Sequence, residues 1–110
     1  MSHRTARIND AVREELNRAL AQVKDPRVAS SIVSVSMAEV SGDLSTAKIY
    51  VSILGGEPSE VLKGLKAAHG FLRTFLAKSL NLRKTPALTF LQDRSAERGA
   101  HIASILKELS

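Results

Sequence analysis

The sequence predicts an α+β fold in which helices cover one face of a three-stranded sheet. Three observations lead there: two long stretches with apolar residues every three or four positions, two alternating stretches joined by a turn cluster, and a short apolar run after a proline-containing loop. In chain order the elements read helix, strand, strand, helix, helix, strand, helix, with no internal repeat, linker or low-complexity segment.

From Thr5 to Val23 the residues Ile8, Val12, Leu16, Leu20 and Val23 recur at helical spacing. Asp25-Pro26 ends this helix, because proline supplies no amide and biases the residue before it away from helical angles. In IVSVSMAEV, residues 32–40, alternation puts Val33, Val35 and Met37 on the buried face and Ser34 and Ser36 on the other. SGDLS at 41–45 is a turn cluster. TAKIYVSIL after it points Ala47, Ile49, Val51 and Ile53 inward and Lys48, Tyr50 and Ser52 outward, completing an antiparallel hairpin.

Gly55-Gly56 breaks the second strand, and Pro58 and Ser59 supply a helix start. The helical pattern runs from about Glu60 to Leu80 and is interrupted at Gly70. On a helical projection Val61, Leu65, Ala68, Leu72 and Leu76 fall on one side, toward the sheet, with Lys63 and Lys66 opposite or flanking. Beyond the loop NLRKTP, residues Leu88, Thr89, Phe90 and Leu91 form a short third strand. Asp93 and Ser95 then cap a last helix carrying Ile102, Ile105, Leu106 and Leu109, with Gly99 weakening its start.

A length of 110 residues suits one domain spanning 1–110, and 44% hydrophobic with 25% charged residues excludes wholesale disorder and membrane residence. No apolar run approaches a bilayer span, and no hydrophobic segment follows Arg4 and Arg7, so a cytoplasmic location is expected. The lack of cysteine fits a reducing compartment. Enzyme chemistry is disfavoured: His3, His69 and His101 are dispersed, and no nucleophile elbow, phosphate-cradling loop or metal-ligand spacing occurs. No catalytic residue, metal or cofactor is therefore assigned.

Sixteen Lys and Arg against eleven Asp and Glu give a net charge of +5, which favours a polyanionic partner. The excess is concentrated. Between Val61 and Gln92 stand Lys63, Lys66, Arg73, Lys78, Arg83 and Lys84 with no acidic residue at all. In the first helix, by contrast, Asp10, Glu14 and Glu15 partly cancel Arg4, Arg7, Arg13 and Arg18, which makes it a secondary candidate surface. Of the aromatics, Tyr50 faces outward and is free to stack on a base, while Phe71, Phe75 and Phe90 are expected in the core.

DPR at 25–27, SGDLSTAKIYVSILG at 41–55, AAHGFLR at 67–73 and LRKTPALTFLQD at 82–93 together resemble the ribosome-binding factor A family over nearly the whole chain. The resemblance implies a KH-like domain of type II topology, α-β-β-α-α-β plus a C-terminal helix. It also implies that Ala68-His69-Gly70 forms the helix kink which replaces the usual GxxG loop, a motif absent from this sequence. Without that loop, recognition should lean on phosphate contacts and RNA shape. The expected role is a monomeric cytoplasmic factor, active in cold adaptation, that joins free 30S subunits late in maturation, binds 16S rRNA and supports its processing. The RNA-contact candidates are Lys63, Lys66, Arg73, Lys78, Arg83 and Lys84, with Arg4 and Arg7 behind them. A second reading is a protein-interaction adaptor working through the apolar helix Ile102 to Leu109.

Overall fold

The computed structural model describes residues 3–94, with side-chain surroundings from Ala6 onward. The elements are α1 (His3–Leu20), α2 (Pro26–Ala29), β1 (Ile32–Val40), β2 (Thr46–Leu54), α3 (Pro58–Ala67), α4 (His69–Leu80) and β3 (Ala87–Gln92). The last helix read from the sequence, together with the adaptor surface assigned to it, lies outside the described residues.

The strands form one sheet in the order β1-β2-β3. β1 and β2 pair antiparallel, and β3 joins β2 in parallel after the α3–α4 crossover, with Ala47 beside Leu88 and Ile49 beside Phe90. The core lies between this sheet and α1, α3 and α4. Val12, Leu16, Ile49, Val51, Val61, Leu65, Leu72 and Leu76 are fully buried there, each contributing about 1.5–3 kcal/mol of apolar burial. No helix of the described residues is long and apolar enough to cross a membrane.

Local structure departs from the sequence reading in three places. Asp25-Pro26 does more than stop α1: the Asp25 carboxylate accepts a hydrogen bond from Arg27 N at 2.9 Å, and proline at the first helical position has no amide to leave unpaired. The result is the single turn α2. Its Val28 packs so tightly against α3 that a Cβ on Gly64 would fall 2.8 Å from Val28 Cγ2. The Arg27 side chain also pairs with Asp25 and, with the backbone bond, holds that carboxyl below the usual carboxylate range.

In β1 the alternation changes phase. Val35 pairs with Val51 and Met37 with Tyr50, so Ser36 is an extra residue, a β-bulge. Val35, Ala38 and Val40 are buried, whereas Met37, expected inside, is exposed on the open face. β2 keeps the expected phase, with Ala47, Ile49 and Val51 buried.

The long helix breaks at Ala68, not Gly70. Ala68 has φ −87° and ψ 6°, its amide bonds back to Gly64 O and Leu65 O, and α4 begins at His69. Gly70 lies inside α4, where an added Cβ would meet nothing within 4 Å, so no close approach explains it. At the other end of α3, Gly55 adopts φ +74°, a conformation that favours glycine, to turn the chain out of β2.

Candidate nucleic-acid interface

The basic segment begins on α3. Lys63 and Lys66 are exposed, and together with Ser59, Leu62, His69, Leu88, Thr89 and Phe90 they line a groove of about 540 Å³ between α3 and β3. The floor is apolar and the rim basic. Lys63 is partly neutralised by Glu60 one turn earlier, Nζ to Oε1 3.2 Å, whereas Lys66 has no carboxylate partner among the described residues.

His69 builds the groove. Its Nε2 accepts a hydrogen bond from Leu88 N at 3.0 Å, which ties the start of α4 to the start of β3 and leaves that nitrogen unprotonated. The expected kink triad thus separates into three roles: Ala68 makes the break, His69 pins the strand, and Gly70 is an exposed helical residue.

Asn81, left-handed at φ 49° and ψ 47°, ends α4. The loop 81–86 then folds back along the helix. Arg73, expected among the RNA contacts, is committed to this loop: its Nε donates to Pro86 O at 3.1 Å and its Nη2 to Thr85 O at 2.7 Å. A half-buried guanidinium spent on two carbonyls is a brace for the loop. Arg83 and Lys84 remain exposed on it, and Lys78 on the last turn of α4.

The returning loop also meets the β1–β2 turn, where Ala87 N donates to Ser45 O at 3.0 Å. In that turn Asp43 accepts from Ser45 Oγ at 2.7 Å, Ser41 Oγ at 2.8 Å and Ser45 N at 3.1 Å. These bonds, with a smaller contribution from Lys84, hold its carboxyl well below the usual range. Lys84 therefore has an ionised acid nearby, although the segment it belongs to has none.

Of the predicted cations, the groove brings together only Lys63 and Lys66. Arg83 and Lys84 share the loop, and Arg7 is exposed on α1, where Arg13–Glu14 and Arg18–Glu15 pairs at 3.9 and 3.7 Å confirm the expected cancellation. The side chain of Arg4 lies outside the described part. Sequence reasoning missed the groove itself, with Ser59, Leu62, Thr89 and Phe90 in its walls. Only the parallel pairing of β3 creates it, and no local signal announces that pairing. Among the described residues no group of three His, Asp or Glu side chains converges as a metal site.

A three-stranded sheet of this topology, layered with α1, α3 and α4 and carrying a basic groove beside its last strand, defines a KH-like α+β protein. Structural comparison agrees. The crystal structure of ribosome-binding factor A from Thermus thermophilus superimposes with a TM-score of 0.74 at 26% identity, covering 80% of this chain and 93% of that one. Thermus thermophilus coordinates fitted as a homology model into a cryo-EM map of a 30S–RbfA complex match with a TM-score of 0.66 at 26% identity, over 86% and 97% of the two chains. The profile of the Ribosome-binding factor A family matches residues 4–106. A Cyanothece ribosome-binding factor A is 46% identical over 110 residues, covering 97% of this chain and 82% of the relative. The chain belongs to the ribosome-binding factor A family.

Proposed function

We propose that this protein is a ribosome-assembly factor, a single KH-like domain that binds free 30S subunits through 16S rRNA late in maturation and supports 16S rRNA processing without catalysis. It acts in the cytoplasm as a monomer. Family membership supports the ribosomal setting, and the Thermus thermophilus relative fitted into a 30S complex supports the small subunit as the partner.

The observation that carries the reading is the basic segment: Lys66 stands at the rim of a groove with an apolar floor, and Lys78, Arg83 and Lys84 are exposed farther along the same segment, all without an ion pair among the described residues. Cations placed this way release condensed counterions from RNA, and the groove adds a shape that pure electrostatics lacks.

The test is a titration of the protein against protein-free precursor 16S rRNA over a salt series. Four unpaired cations at roughly 0.7–0.9 each give an expected slope of log affinity against log salt of about −3. A flat slope overturns the proposal.

A further inference from the structure

Phe71, assigned to the core from the sequence, is 43% exposed. It sits in the first turn of α4, three residues past the break at Ala68 and one position before the buried Leu72, which turns it away from the line of Leu72 and Leu76 that faces the sheet. Its ring rests on half-buried Phe75 one turn along, with centroids 6.2 Å apart and planes inclined at 55°. The other large apolar side chains exposed to a similar degree among the described residues, Ile32, Met37, Leu54 and Leu91, all belong to strands. Phe71 alone of this group stands in the helical layer.

Phe71 lines a shallow trough of about 370 Å³ together with Gln22, Val23, Lys24, Asp25, Ala67 and Ala68, between the end of α1 and the helix break. The trough offers an aromatic surface, small neighbours that leave it open, the Gln22 amide with both donor and acceptor, and the exposed Lys24 cation. Its one carboxylate, Asp25, is engaged by the Arg27 guanidinium at 3.0 and 2.8 Å, so it does not leave the rim acidic. A flat ring on an anionic tether matches these groups: the ring stacks on Phe71, Gln22 reaches its edge, and the phosphate meets Lys24.

We infer that Phe71 and this trough are a stacking site for one unpaired base of the bound RNA. The inference rests on the RNA-binding reading above and adds a term which that reading lacks, since stacking is sequence-tolerant and largely independent of salt. An apolar side chain of a protein partner is the competing occupant. The exposed Lys24 cation in the trough, with Asp25 already engaged by Arg27, favours the anionic RNA.

Phe71→Ala and Phe71→Trp in the full chain test it against an unstructured oligoadenylate and protein-free precursor 16S rRNA over a salt series. For Phe71→Ala the affinity for both should fall about tenfold at every salt concentration while the salt slope stays the same. Phe71→Trp should bind like the parent, and its indole fluorescence should be quenched by the oligonucleotide, a readout independent of any stability change in the alanine variant. Unchanged RNA affinity in Phe71→Ala, or an unquenched indole, overturns the stacking site while leaving the RNA-binding reading intact. Weaker binding to 30S subunits with unchanged affinity for protein-free RNA gives the trough to a protein partner and overturns it too. A parent protein that binds neither RNA with any salt dependence removes the RNA-binding reading itself.

Discussion

The two edges of the sheet are finished in different ways. On the β1 edge, α1 supplies carboxamides: Asn17 Oδ1 accepts from Val35 N at 2.7 Å while its Nδ2 donates to Val35 O at 3.1 Å, and Asn9 Oδ1 accepts from Val40 N at 2.9 Å. Uncharged groups thus take up backbone groups of Val35 and Val40 on that edge, leaving fewer of them free to pair with another strand. On the β3 edge the fasteners are His69 on Leu88 N and Arg73 on Thr85 O and Pro86 O, both near the start of the strand, and the groove beside Thr89 and Phe90 stays open with Lys63 and Lys66 at its rim. One edge is tied to α1 to hold the fold. The other is left open at the groove proposed to meet RNA, and substitutions on the two edges should separate stability from binding.

The largest expected effect is on the β1 edge. Asn17→Ala leaves the amide and carbonyl of Val35 without their partner and should lower stability by about 1–3 kcal/mol in urea unfolding, with RNA affinity unchanged wherever the protein is folded. A loss of RNA affinity from the folded variant would erase the division of labour. Next comes the loop: Arg83→Glu with Lys84→Gln should weaken association with free small subunits about tenfold at low salt and make the salt slope shallower by roughly 1.5–2, with little change in thermal unfolding. Glutamine is preferred at 84 because Asp43 is close and a new carboxylate there would add repulsion. Co-sedimentation with purified subunits reads the result.

His69→Ala probes the pin. It should cost about 1 kcal/mol and speed hydrogen exchange of the Leu88 amide well before that of Ile49 in the central strand. The smallest effect belongs to Gly70→Ala: with open space around the new methyl and a helical backbone, stability should rise by up to about 1 kcal/mol in the same unfolding assay. A marked loss would return the bend to Gly70.

Much of this fold was legible from local pattern. α1, the hairpin, the two-part helix and β3 fall close to where periodicity puts them, because each buries one face and the spacing of apolar residues records that face. What escaped depends on contacts distant in sequence or on single residues. Pro26 reads equally as the end of one helix and the start of another, and only the Asp25 cap decides. Ser36 slips the phase of β1 without any change in composition. Glycine at 70 drew the break two residues from Ala68, where the backbone leaves helical geometry.

The candidate site was legible as a list of cations, since an acid-free run needs no geometry to be seen. Their fates were not. Arg73 turns to carbonyls twelve and thirteen residues later, and Lys84 approaches Asp43, only because the loop 81–86 folds back on α4. Phe71 looked like core because it is a large aromatic beside Leu72, although the helical spacing that correctly buries Leu72 and Leu76 leaves position 71 off their line.

The bulge at Ser36 makes β1 one residue longer than its pairing requires. Removing Ser36 would leave Val35, Ala38 and Val40 on the inner face and Met37 on the outer one, in the register already present with Val51 and Tyr50. A deletion inside a strand ordinarily inverts everything downstream, yet here the inner set would survive it. The cost would fall elsewhere, on the Ser36 Oγ hydrogen bond to the Asp93 carboxylate that links β1 to the chain leaving β3. That surplus position is a natural point for length variation, a place where this hairpin can lose a residue without repacking its interior.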